Sequence, residues 1–255
     1  VDLVYIDAHT HFGKGMPQGI PPEGVEKYIQ MMDKIGMNAV IITPCYASIS
    51  PDRTYDEANR LLANAMKKYP DRLFGLARVN PHFMKRSVEI AEKYLKEGFW
   101  GIKFHPRNEA FPINHKDLVF PIMKKVEELG GLVLFHSGCP VYSHPTLVGD
   151  VADNFPEVPI IIGHMGGRFV DDAILVAKWF DNVFIDTSFC RGVGYIEKAV
   201  EVAGAEKVLY ASDYPQGSME VETLKVKLAE ISSRDKELIL GRNIKNILLS
   251  IRKER

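Results

Sequence analysis

The chain has 255 residues, with 46% hydrophobic and 25% charged side chains and a formal net charge of −1 from 32 basic and 33 acidic residues. That balance belongs to an ordinary globular protein with material for a large core, and it argues against disorder and against a nucleic-acid or acidic-membrane partner. The opening VDLVYIDAHTH lacks a basic flank and no run approaches the ~20 apolar residues of a membrane span, so neither a targeting segment nor a membrane partner is expected.

In chain order, VYIDAHTH (4–11) predicts a first strand. EGVEKYIQMMDKIG (23–36) follows as an amphipathic helix, with Gly36 placed as its C-terminal cap. NAVIITP (38–44) is the second strand, then the helix DEANRLLANAMKKYP (56–70), ended by Pro70. LFGLARVNP (73–81), the helix KRSVEIAEKYLKEG (85–98) and the strand WGIKFHP (100–106) repeat the alternation. KDLVFPIMKKVEELGG (116–131) reads as a helix, and LVLFHSG (132–138), PIIIGHMGG (159–167) and VFIDTS (183–188) read as strands. EKAVEVAG (197–204), the strand VLYASDYP (208–215), VETLKVKLAEI (221–231) and NIKNILLSIRK (243–253) complete the series.

Near-continuous apolar runs alternating with helices imply parallel strands buried on both faces. Eight such units in this length predict a (β/α)₈ TIM barrel, with residues 1–255 as a single domain. A doubly wound open sheet is the competitor, weakened because no GxGxxG follows the first strand. The Gly- and Pro-rich stretch from Phe12 to Pro22 is expected to form part of a lid, and Cys45 to Thr54 a lid or a subunit contact. Cys45, Cys139 and Cys190 are odd in number and far apart, which fits buried fillers in a reducing cytoplasm better than a disulfide framework.

Polar residues gather at the strand ends: His9 and His11 after the first, Lys103 and His105 after the fourth, His136 after the fifth, His164 after the sixth and Asp213 after the eighth. In a barrel these ends surround one mouth. Residues two apart on a strand face the same way, so His9 and His11 can address one ion, with His136 and Asp213 completing a His₃Asp set. Singly, each has a plain structural reading: a surface or core histidine, or a helix N-cap for Asp213. Coincidence at one end of so many strands explains them poorly.

These motifs (DAHTHFG at 7–13, GIKFHP at 101–106, LFHSG at 134–138, IGHMGG at 162–167, ASDYP at 211–215 and GRNIKNILL at 241–249) resemble the amidohydrolase superfamily, in particular its amidohydrolase-related group. The resemblance implies a metal-dependent enzyme whose divalent ion is held by His9, His11, His136 and Asp213. Zinc is favoured, with manganese, iron or cobalt as alternatives, and one ion is favoured over two. Asp213 and His164 are implied as catalytic. Lys103 and His164 are candidates for a second metal or for substrate, a carboxylated Lys103 being one form of the two-metal reading. An ion pair of Lys103 with a strand-end carboxylate such as Asp186 is its structural alternative. His105, Arg107 and Arg168 are candidates for contact with a small-molecule substrate, and a homodimer is implied. Hydrolysis of an amide, ester or lactone is the leading expectation. Non-oxidative decarboxylation of an aromatic or unsaturated acid is the alternative, and a non-catalytic metal-binding barrel the remote one.

Overall fold

A computed structural model describes residues 4–13, 24–45 and 54–253. Eight parallel strands run in sequence order around one sheet: β1 (Ile6–Phe12), β2 (Ala39–Pro44), β3 (Leu73–Arg78), β4 (Gly101–Phe104), β5 (Leu132–Phe135), β6 (Ile160–Ile162), β7 (Val183–Asp186) and β8 (Val208–Leu209). Beyond β8 the chain returns to β1: Ala8 N–H donates to the Tyr210 carbonyl at 2.9 Å, Asp213 N–H to the His9 carbonyl at 2.8 Å, and His11 N–H to the Tyr214 carbonyl at 2.7 Å. These bonds close the barrel. The expected fold is the observed one.

The helices are α1 (Val25–Ile35), α2 (Asp56–Lys68), α3 (Lys85–Lys96), α4 (Pro106–Glu109), α5 (Phe120–Glu128), α6 (Thr146–Asn154), α7 (Val170–Trp179), α8 (Val193–Ala203), α9 (Met219–Leu228), α10 (Ser233–Glu237) and α11 (Asn243–Lys253). Gly36 caps α1 as expected: it is left-handed (φ 74°), and its N–H reaches the Asp33 and Met32 carbonyls. The sequence pattern assigns no helix to α6 or α7. Gly149 interrupts the first, and α7 is apolar nearly all round because it is largely buried. No helix among the described residues is long and apolar enough to cross a membrane.

Two apolar layers hold the barrel. The larger lies between strands and helices. The smaller fills the barrel axis with Ile6, Ala8, Ile41, Leu76, Leu134, Ile161 and Leu209, and the Ile244, Ile247, Leu248 and Ile251 side chains of α11 join it. Each of these four α11 residues is at most 6% exposed, and burying one is worth ~1.5–3 kcal/mol. One end of the barrel is thus packed shut, which leaves the other for chemistry.

Strand β1 carries a local irregularity. Asp7 pairs with Val40 but Thr10 with Ile42, a one-residue slip that marks a β-bulge. Ile6 and Ala8 face the axis by simple alternation. The extra residue resets the parity, so His9 and His11 also face inward, one level higher. The expected lid stretches fall mostly at 14–22 and 46–53, outside the described residues.

Candidate metal centre and active site

At the open end, His9, His11 and Asp213 bring one donor atom each to within 4.8 Å of one another, all buried. Asp213 Oδ1 lies 2.8 Å from His11 Nε2 and 3.3 Å from His9 Nε2. Burial works to raise the Asp213 carboxyl, but the charges of His11 and His9 outweigh it, and the group is held well below the ordinary carboxylate range. Burial drives the His9 imidazole well below its usual value, and neighbouring Lys103 adds to this. His136, His105 and His164 are lowered as well, burial being the largest cause for each. Neutral imidazoles with free lone pairs are what a metal requires. A buried carboxylate, converging imidazoles and a buried His11 Nδ1 without a partner fit a divalent cation.

Asp186 organises the back of this site. Its Oδ2 lies 2.9 Å from His9 Nδ1, which puts the ring proton on Nδ1 and leaves Nε2 as the donor toward the ion. Its Oδ1 accepts from the His164 N–H (2.9 Å), the Ser188 N–H (3.0 Å) and the Ser188 hydroxyl (2.6 Å). Ser188 Oγ is 2.9 Å from His164 Nδ1, and His164 Nε2 is 2.9 Å from His136 Nδ1. His9, Asp186, Ser188, His164 and His136 therefore form one hydrogen-bonded chain from β1 to β5.

Two of these positions need unusual backbone. His164 (φ 59°) sits in the 3₁₀ turn Gly163–Gly166, and Asp213 (φ 56°) follows β8; neither residue is a glycine, yet both are left-handed. The apolar runs predict strands continuing through both, and the structure ends the strands earlier so that these side chains turn into the mouth. A Cβ on Gly138 would come within 2.7 Å of Gly167 Cα, so the loops after β5 and β6 touch backbone to backbone behind His136 and His164.

The structure brings most of the anticipated residues together. A cavity of about 460 Å³ is lined by His11, Lys103, His105, Arg107, His136, His164 and Asp213, with Cys139, Phe189 and Gln216 among the others at its wall. His136 lies in this cavity but outside the three-residue donor group, facing His164 and stacked on His105 at 3.9 Å between ring centres. Arg168 is exposed and is not among the lining residues. Lys103 does not pair with Asp186; its Nζ lies 2.8 Å from His9 Nε2, and burial brings its pKa down to about 7 against the pull of Asp213 and Asp186. Cys45 and Cys190 are buried, whereas Cys139 reaches the cavity, 3.9 Å from His136 Nε2. The three cysteines form no disulfide.

Arg78 and Glu109 escape the sequence reading. Arg78 pairs in register with Lys103 and so shares its inward side. It is fully buried and donates from Nη2 to Glu109 Oε1 at 2.6 Å, and the Tyr55 hydroxyl donates to the same oxygen at 2.6 Å. An arginine inside the apolar run LFGLARV was the available signal.

The family model described as Amidohydrolase matches residues 6–248. Similar solved structures include 2,6-dihydroxybenzoate decarboxylase from Rhizobium (TM-score 0.76, 16% identity, 98% of this chain and 99% of that one). A second is 5-carboxyvanillate decarboxylase from Sphingomonas paucimobilis (0.77, 16%, 97% and 99%). A third is a dihydroxybenzoic acid decarboxylase from Polaromonas with bound manganese and 2-nitroresorcinol (0.75, 16%, 96% and 97%). At such identities the likeness shows the barrel.

Proposed function

The chain belongs to the amidohydrolase family, and on that premise we propose that it is a metal-dependent decarboxylase removing carbon dioxide, without oxidation, from a small aromatic or unsaturated carboxylic acid. The observation that carries this reading is the charge of the cavity. Lys103 and Arg107 line it beside four histidines, and the carboxylate on its wall, Asp213, is already engaged by His11 and His9. Such a wall selects an anion. Hydrolysis of an amide, ester or lactone, the leading expectation from the motifs, calls for no such pair of cations. The solved structures of like fold that act on aromatic acids add weight to decarboxylation. The assembled donor group speaks against a non-catalytic barrel.

His9, His11 and Asp213 would hold a divalent ion, with His136 as the further imidazole at the same mouth. When bound, the ion supplies Lewis-acid polarisation of a substrate oxygen. Two imidazoles and a carboxylate suit zinc or manganese. One ion is favoured because Asp186, the carboxylate of the alternative group with His9 and His164, already accepts four hydrogen bonds.

Lys103 and Arg107 would grip the substrate carboxylate, with His105 and Phe189 bordering the plane of the ring. Decarboxylation places a proton on the carbon bearing the carboxylate; the carbon–carbon bond then breaks and its electron pair returns to the ring. His164, fixed by Ser188 at the cavity wall, is the group positioned to deliver that proton, whereas Asp213, held as a carboxylate, can serve only as ligand and proton acceptor. The odd, widely spaced cysteines support a reducing compartment such as the cytoplasm.

The test is to incubate metal-reconstituted protein with panels of hydroxybenzoates and of lactones and amides. Carbon dioxide released in step with loss of the acid's absorbance supports the reading. Turnover of lactones or amides without carbon dioxide would replace it with hydrolysis, and no turnover with any ion would leave a non-catalytic barrel.

A further inference from the structure

Helix α9 divides its apolar residues between two faces. Met219 and Val226 are buried against the barrel, whereas Val221, Leu224 and Leu228 are 53%, 52% and 62% exposed. Glu220 and Lys227 are exposed with them. Positions 220, 221, 224, 227 and 228 have the spacing of a single helical face. Ten large hydrophobic side chains are exposed among the described residues, and three of them share this one ten-residue face. Single exposed leucines need no explanation, but a contiguous apolar stripe does.

The stripe is complementary to itself. Leu224 lies at its middle, Glu220 at its N-terminal end and Lys227 at its C-terminal end. Lay a second α9 antiparallel across a two-fold axis at Leu224. Glu220 of each helix then meets Lys227 of the other, Val221 meets Leu228, and Leu224 meets its own counterpart. A parallel arrangement would set Glu220 beside Val221 and Lys227 beside Leu228 of the other copy, leaving both charges unpaired. From this pattern we infer that α9 is the contact face of a homodimer, its occupant a second copy of this chain docked antiparallel, α9 on α9.

The helix dipoles favour the same orientation. Lys227 sits at the margin of the seam, its ammonium 5.3 Å from the Tyr5 ring centre, where it remains exposed and within side-chain reach of a partner. A ten-residue helix is ~15 Å long, so α9 alone falls short of the ~800 Å² per partner of a standard interface. The dimer is therefore reversible, with the flanking surface adding to the seam. None of this rests on the proposed activity.

Sedimentation velocity on the full chain, over a roughly hundredfold concentration range, tests the inference. A reversible monomer–dimer equilibrium is expected. Leu224→Arg, which sets arginine against arginine at the axis, should raise the dissociation constant about tenfold or more. Glu220→Lys and Lys227→Glu should each weaken the dimer. The double variant, which has the parent net charge and swaps both ends of the seam, should recover it. All three positions are exposed, and an unchanged thermal melt confirms intact folding. A monomer at every concentration, a dimer indifferent to Leu224→Arg, or a double variant no better than the singles would overturn the inference.

Discussion

Lys103 Nζ and His9 Nε2 lie 2.8 Å apart at the centre of the barrel mouth, a cation-forming amine pressed against a metal-binding nitrogen. With a pKa of about 7, against an ordinary 10.5, Lys103 holds its proton less tightly folded than unfolded. The resulting penalty on folding is full below about pH 7 and fades as the pH climbs toward 10.5. Metal-free Lys103→Met should therefore melt above the metal-free parent near pH 6, and the two should converge near pH 10. Melting curves across that range check the sign; a gap that widens with pH would contradict it.

Asp186 touches no cavity surface yet fixes the His9 ring and, through Ser188, the His164 ring. Asp186→Asn should weaken metal binding by roughly 10–100-fold, and His136→Ala by a similar factor. His11→Ala and Asp213→Asn, which remove members of the donor group itself, should abolish stoichiometric binding. Calorimetric titration with zinc and manganese measures all four. Binding in Asp213→Asn equal to the parent would sink the assigned ligand set.

The two candidate arginines separate cleanly. Arg107 lines the cavity, whereas Arg168 is exposed away from its wall. Once an acid substrate is in hand, Arg107→Ala should raise its KM about tenfold or more with a smaller change in kcat, while Arg168→Ala leaves both unchanged. Equal effects from the two variants would show that the cavity wall is wrongly drawn.

Arg78 and Glu109 form a fully buried ion pair. Removing one partner strands the other charge, so Arg78→Met should destabilise the protein by ~3–5 kcal/mol. The Arg78→Met/Glu109→Gln double variant should lose less. Urea unfolding of the parent, the two single variants and the double variant gives the comparison, and additive losses would deny the coupling.

Periodicity alone placed the eight strands, because buried parallel strands are apolar on both faces and leave long runs in the sequence. The same signal overran β6 and β8. The predicted strands run on through His164 and Asp213, but there the backbone turns left-handed to aim functional groups. Ser188 and Asp186 share strand parity at the end of VFIDTS, a legible hint of a site, whereas Glu109 sits in a short helix with no periodic context. Its role exists only because the fold brings it to Arg78, 31 residues earlier.

The slip in β1 gives the strand two independent halves. Below it, Ile6 and Ala8 can be changed in size to retune core packing without rotating the imidazoles above. Without the slip, plain alternation from Ala8 would turn His9 and His11 out toward the helices, so the bulge is what lets one strand serve both the axial core and the metal site.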